Sequence, residues 1–269
     1  MAKADIPPLP GPPGLNSRRP PTDMRMQQFP ADIAGTLLSL PSEDLHIPRT
    51  VLEYVLARAP AYIVKVPRVA HLPDRRISAS SHPYFPYFIW VRTFESETPG
   101  TTGYLVDVSV ACKLSREISP SPTNTAAMNH CADSLTSRLS SGLRAYRKVA
   151  GQPIEDVTAQ LTPPEQVLGK VALKRYEQLG ASGPFLDDSR LDTVPVARWI
   201  VESDPENPLP KDAHTFDSGN YVHAGFLLWN GDHFETRATV PATLWPCPVD
   251  PPQKDPWRCP KDDIFVTPP

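Results

Sequence analysis

The chain has 269 residues with 27 basic and 30 acidic side chains, a formal net charge of -3, and 35 prolines against 13 glycines. Proline is therefore more than twice its usual share of about 5%, yet the apolar content of 40% is what a packed core requires, which excludes a wholly disordered chain. No apolar run approaches the roughly 18 residues of a membrane span, and the polar start at Met1 to Asp5 has no apolar stretch of a secretory signal. No membrane span is expected. Cys112, Cys131, Cys247 and Cys259 are few and scattered, which fits a reducing, cytoplasmic compartment better than a disulfide framework.

Taken in chain order, residues 1–30 come first, holding Pro7, Pro8, Pro10, Pro12, Pro13, Pro20, Pro21 and Pro30. Each proline fixes φ and removes a backbone donor, so this segment reads as an extended arm with local polyproline II character. Residues 48–59 read as a helix, with Pro48 in its first turn, Val51, Leu52, Val55 and Leu56 on one face, and Pro60 as its stop. Ala61 to Ala70 is a predicted strand whose second half Pro67 confines to a sheet edge. A hairpin is expected next, with Tyr87 to Glu95 and Gly103 to Leu114 flanking the Ser96 to Gly100 turn. Tyr104, Val106, Val108, Val110, Cys112 and Leu114 alternate with Asp107, Ser109, Ala111 and Lys113, one buried face against one mostly polar face.

From Thr125 to Val149 the apolar spacing of three or four predicts a helix of about 25 residues. Arg144, Arg147 and Lys148 would then complement the dipole in its last turns. A second helix is expected after the capping box Thr162-Pro163-Pro164-Glu165, with Val167, Leu168, Val171, Ala172, Tyr176 and Leu179 as its inner face and Gly180 as its end. Val194 to Glu202 is the next strand. An acidic connector leads to the hairpin of Tyr221 to Trp229 and Asp232 to Val240, whose Asn230-Gly231 pair suits a two-residue turn. In that register Trp229 opposes Asp232, Leu227 meets Phe234, Gly225 meets Thr236 and His223 meets Ala238. Residues 241–269 hold nine prolines along with Leu244, Trp245, Trp257, Ile264, Phe265 and Val266, and form a second extended arm with apolar anchors. The expected architecture is α+β: about six mostly antiparallel strands and a central pair of helices in a core at 31–240, between Pro-rich arms at 1–30 and 241–269.

Candidate chemistry is sparse. His233-Phe234-Glu235 followed by Pro246-Cys247 shares part of the zinc deaminase pattern. Asp250, however, stands where that pattern needs a second cysteine, and the His-x-Glu falls on a predicted strand. The row His233, Glu235, Arg237 is therefore read as an exposed charged face. Asp212, His214, Asp217, His223, Asp232 and His233 make the 212–235 segment rich in metal ligands, and a metal-dependent hydrolase built there is the main alternative function. No nucleophile elbow, P-loop or dinucleotide fingerprint occurs, so no catalytic residue and no cofactor is assigned.

Cations beside aromatics are what a single-stranded nucleic acid requires, and Arg68, Arg75, Arg76 and Tyr84, with helix cations Arg144, Arg147, Lys148, Lys174 and Arg175, make that set. Pro7, Pro10 and Pro13 give P-x-x-P spacings suited to an aromatic-lined groove of the kind an adaptor uses. Trp245, Trp257 and Phe265 are the partner-facing anchors of the C-terminal arm. Charge is also uneven: residues 1–180 carry 20 basic and 16 acidic groups, and 181–269 carry 7 and 14. Ends of opposite sign favour head-to-tail contact between copies or between halves of the chain.

Proline, alanine and serine together make 77 residues, about 29% of the chain. In this composition the chain resembles the proline-alanine-serine-rich proteins of polymycoviruses, fungal RNA viruses. The resemblance implies a structural protein that coats RNA and transfers no site residue. The resulting expectation is a non-enzymatic assembly protein that forms homo-oligomers through its arms, with single- or double-stranded RNA as a partner.

Overall fold

A computed structural model describes residues 26–45, 47–58, 61–65, 75–79, 87–110, 129, 139–140, 142–161, 165–188, 190–191, 194–212, 214–215, 220–241, 244–245 and 266–267. It has helices and antiparallel sheets, and the α+β class holds. The elements in order are β1 (Met26–Gln27), α1 (Ala31–Ser39), α2 (Ser42–Leu45), α3 (Arg49–Arg58), β2 (Ala61–Lys65), β3 (Arg75–Ala79), β4 (Tyr87–Glu95), β5 (Thr101–Val110), β6 (Leu139–Ser140) and β7 (Arg144–Val149). Then come β8 (Glu155–Asp156), a 3₁₀ turn (Thr158–Gln160), α4 (Glu165–Gln178), β9 (Ser182–Asp187), β10 (Val196–Glu202), β11 (Tyr221–Trp229), β12 (Phe234–Arg237), β13 (Val240–Pro241) and β14 (Val266–Thr267). One sheet has the order β1-β2-β3-β4-β5-β7-β8, with β6 also on β5; a second has the order β12-β11-β10-β9; β13 and β14 form a parallel pair. Each of the six expected strands has a counterpart, in β2, β4, β5, β10, β11 and β12, but the described residues hold fourteen strands where about six were expected.

The chain divides into two compact units, one formed by the described parts of 1–64, 75–92 and 105–144, the other by those of 65–74, 93–104 and 145–269. In the first unit α3 begins where sequence placed it, because the Pro48 carbonyl accepts from both Val51 and Leu52 at 2.9 Å and proline itself needs no donor there. Ile33 and Leu37 of α1 and Leu52, Val55 and Leu56 of α3 are buried, as are Tyr87, Ile89 and Val91 of β4. On β5 the expected polar face is covered in part: Ser109 is as buried as Val106 and Val108, and Asp107 is half-buried.

The predicted helix at 125–149 is not what residues 139–140 and 144–149 form: they are β6 and β7. Gly142 takes φ +79 between them, a conformation that ends any helix register. β7 then pairs with β8, Tyr146 opposite Asp156 and Arg147 opposite Glu155. Thr158 fixes this return: its hydroxyl accepts from the Ala145 amide at 3.0 Å and donates to the Ala145 carbonyl at 3.3 Å. Tertiary pairing thus overrides a helical spacing. Of 111–138 only Asn129 is described, and it is helical.

In the second unit α4 matches the expected helix in extent, and Gly180 at φ +83 ends it while the Ala181 amide returns to the Tyr176 carbonyl at 3.0 Å. Its capping box at Thr162 lies outside the described residues. The expected inner face needs correction. Gly169 takes φ 76, ψ 153 and breaks the helix after one turn, so the phase set by Val167 and Leu168 does not carry through. Val171 is 86% exposed and Leu179 44% exposed, while Leu168, Ala172, Leu173 and Tyr176 pack with Val201, Leu209 and Val222.

The β11–β12 hairpin forms with a four-residue loop, Asn230 to His233, in place of the expected two-residue turn. Trp229 therefore opposes Phe234, Leu228 opposes Glu235 and Leu227 opposes Thr236. The Asn230 side chain makes the longer loop stable by accepting from the Asp232 and His233 amides, each at 3.0 Å. A shift of two keeps every side chain on its expected face. The β10–β11 ladder shifts register between Trp199 and Ile200, and this bulge at Ala224-Gly225 turns His223 onto the face of Phe226, ring centroids 4.8 Å apart. One face of the sheet is thus covered by α4, and the other by Val240 and Trp245, which cluster with Val194, Val196, Phe226 and Leu228.

Candidate functional site

The 212–235 segment does not converge. Asp212 accepts a hydrogen bond from the Tyr176 hydroxyl on α4 and, through its other oxygen, from the His214 amide at 2.8 Å. Its role is to tie the acidic connector to the helix. The same bond, after burial, pushes the Tyr176 pKa upward. His223 is 1% exposed on β11, and its Nε2 donates to the Ala238 carbonyl at 2.9 Å. Burial first, and after it the electrostatic influence of Arg198 and His214, press its pKa down to about 3 against the Ala238 hydrogen bond, which raises it, so it is neutral at pH 7. Asp232 and His233 sit at the hairpin tip, and Asp217 lies outside the described residues. Among the described residues no three His, Cys, Asp or Glu side chains come together to hold a metal.

The tip is an ionic latch. Arg147 of β7 donates through Nε to Asp232 at 3.1 Å and through Nη1 to Glu155 at 3.4 Å. The Asp232 bond is the larger cause of its raised pKa. Beneath it lies an aromatic seat: Trp229 donates to the Ser96 hydroxyl at 3.0 Å, and Phe234 meets Trp229 at 5.0 Å and Phe94 at 5.4 Å between centroids. Gly103 is required under this seat, because a Cβ there would stand 2.6 Å from the Trp229 ring. His233, Glu235 and Arg237 form the exposed charged row, His233 lying 3.8 Å from Glu235, which also pairs with Arg237. The arrangement neutralises charge and offers no nucleophile with an oriented base.

The expected nucleic-acid residues that are described fall on β3, β7 and α4. Arg68 and Tyr84 lie outside the described residues, and Arg75 and Arg76 lie on β3, Arg76 opposite Arg92 on the β3–β4 ladder. With the helix at 144–149 replaced by β7, Arg144 pairs with Asp44 at 3.4 Å and Arg147 with the latch, while Lys148 is half-buried. Lys174 and Arg175 remain exposed on α4. Of the expected partner-facing anchors, Trp257, Phe265, Pro7, Pro10 and Pro13 lie outside the described residues. Trp245 is 3% exposed, with the Arg190 and Arg198 guanidiniums 4.2 and 5.2 Å from its ring centre. Among the described residues it is an internal anchor.

Sequence reading passed over Arg198, 1% exposed on β10 and 3.6 Å from Asp187 of β9. An alternating strand pattern carries no mark of which arginine will be buried. It also passed over the Val240–Val266 pairing, which joins β13 to β14 across the C-terminal arm. Among the described residues no helix is long and apolar enough to cross a membrane. Comparison with protein families, with curated proteins and with solved structures finds no match to this chain.

Proposed function

We propose that this chain is a structural protein that self-associates by exchanging its C-terminal arm between copies. The observation that carries the reading is the parallel pair of Val240–Pro241 with Val266–Thr267. The arm is anchored at buried Trp245, runs through twenty further residues, and ends as a strand laid back on the residues that precede it. Twenty residues reach about 65 Å when extended, farther than a small domain is wide. The same two-residue ladder forms equally well with the arm of a neighbour, and exchange of an identical element is a low-cost route to an oligomer. The charged tip, with each ion pair closed on itself, supports a scaffolding role over a reactive one.

Light scattering on the full chain after size separation tests this. The expected result is a mass above 29.7 kDa that returns to the monomer when residues 246–269 are deleted, with the circular dichroism of the core retained. A full chain that runs as a sharp monomer at every concentration rejects the reading. The absorbance ratio at 260 and 280 nm, before and after nuclease, reports separately on whether the assembly encloses RNA.

A further inference from the structure

We infer that the outer face of α4 docks on the acidic turn at residues 204–208 of a second copy, a head-to-tail contact that rests on the self-association reading and adds a second interface to it. After the Gly169 break, Val171, Lys174, Arg175 and Gln178 follow the i, i+3, i+4, i+7 spacing that places four side chains on one helix face, and all four are exposed. Among the described residues Val171 is the most exposed of the large apolar side chains, at 86%. Lys174 and Arg175 beside it form no ion pair among the described residues. A single exposed valine carries no meaning alone; the two cations beside it give the face a positive charge that an acidic surface complements.

The complementary surface lies in the same unit. Asp204-Pro205-Glu206-Asn207-Pro208 is an exposed turn, held at both ends: the Ser203 amide donates to the Asn220 carbonyl at 2.8 Å, and Leu209 is buried with Tyr176, Val201 and Val222. Within it the Asp204 carboxylate accepts from the Glu206 amide at 2.9 Å and the Asp204 carbonyl accepts from the Asn207 amide at 2.9 Å. The turn is therefore shaped in advance, with two carboxylates that form no ion pair among the described residues and two proline rings to cover Val171. Preorganisation of this kind lowers the entropy lost on docking. Leu209 anchors the turn beside Tyr176; at 3.6 residues per turn Lys174 lies across the helix from Tyr176, and Arg175, whose charge reaches the Tyr176 hydroxyl, lies about 100° from it. Neither cation pairs with Asp204 or Glu206 among the described residues, which leaves both for a second copy. RNA is the less favoured occupant. Glu177 is exposed on the same helix, Lys170 is 3.5 Å from Glu165, and two unpaired cations give little counterion release.

Charge reversal on the full chain tests the contact. The variants are Lys174→Glu with Arg175→Glu, and Asp204→Lys with Glu206→Lys. At about 50 mM salt, where screening is weak, each is expected to lower the weight-average mass at least about two-fold, to that of the arm-exchanged unit. An equimolar mixture of the two is expected to restore the wild-type mass, because every basic face then finds an acidic turn and every reversed face a reversed turn. At about 500 mM salt wild type and variants should converge. A reversed variant that keeps the wild-type mass, or a mixture that fails to recover it, overturns the inference and leaves arm exchange standing if the arm deletion still yields a monomer. A full chain that is monomeric throughout overturns both. A low-salt mass that nuclease lowers and mixing does not restore assigns the α4 face to RNA and also overturns the contact.

Discussion

At one edge of the four-stranded sheet β12 carries Glu235 paired with Arg237, with His233 3.8 Å from the same carboxylate. At the other edge β9 carries Pro184 and a Phe185 ring that is 38% exposed. A free sheet edge invites strand addition, and proteins block it with charge, with proline or with a bulge. β12 uses charge. β9 uses Pro184, which has no N–H to offer, and the register shift between Ile200 and Glu202 on its ladder with β10. An exposed aromatic on β9 is therefore not a docking strand, since the backbone beside it cannot continue the ladder. Both edges are thus blunted against strand addition, and the association proposed above would run through the face of α4 and the exchanged arm instead.

The β12 edge should be far the more sensitive to loss of its aromatic. Phe234 is 3% exposed, meets Trp229 and Phe94, and its amide donates to the Gln160 side chain at 2.8 Å. Phe234→Ala is expected to cost about 3–5 kcal/mol in denaturant unfolding. A loss under about 1 kcal/mol would show that the seat collapses around the cavity and does not hold the edge.

The β9 edge is joined to the sheet through Arg198, 1% exposed, and Asp187, 10% exposed at the side chain. Removing the carboxylate leaves a cation in a dry site, so Asp187→Ala is expected to cost about 3 kcal/mol. The double variant Asp187→Leu, Arg198→Met should be the milder of the two, because it buries no charge. Equal losses in both would mean that the ionic pair does not hold β9 in place.

A pH titration compares the interior with these rims. His223 ionises near 3 when folded and near 6.5 when unfolded. The unfolded chain takes up the proton first as pH falls, so the contribution of His223 is complete above about pH 6.5 and is lost progressively down to about pH 3. Each unit of that window weakens the fold by up to about 1.4 kcal/mol. His223→Gln keeps a donor for the Ala238 carbonyl and should flatten the slope between pH 6 and 4; an unchanged slope places the proton uptake elsewhere.

What could be read in advance depended on whether a residue's neighbours were close in sequence. α3 declared itself through Pro48 and four apolar residues on one face, and β11 through the Asn230-Gly231 turn that follows it, so both were legible. The segment at 144–149 was not, because Arg144, Ala145, Tyr146, Arg147, Lys148 and Val149 satisfy a helical spacing nearly as well as a strand, and only β8 and Thr158 decide between them. On α4 a single φ at Gly169 moved Val171 from the expected core to the surface, and glycine identity alone does not announce the sign of φ. Trp245 was legible as an anchor, and what it anchors to was not, since Phe226 and Val194 are distant in sequence. The candidate site fared likewise: the charged row at His233, Glu235 and Arg237 was visible in the sequence, whereas the Arg147–Asp232 bridge that closes it spans 85 residues.

The smallest effect is expected where the surface looks most inviting. Phe185→Ser removes an aromatic ring from the β9 edge, but the ring is already 38% exposed, and exposed positions without a special role change stability by no more than about 0.5 kcal/mol. If association runs through α4 and the arm, the variant should keep the wild-type unfolding midpoint and the wild-type mass at low salt. Val171→Ser, on the face of α4, should lower that mass while leaving the midpoint equally unmoved, because its side chain contributes to the contact and not to the fold. The pair separates the two exposed apolar sites by function. A mass that falls in Phe185→Ser and holds in Val171→Ser would return the interface to the sheet edge, and would mean that Pro184 blunts β9 less than its missing donor implies.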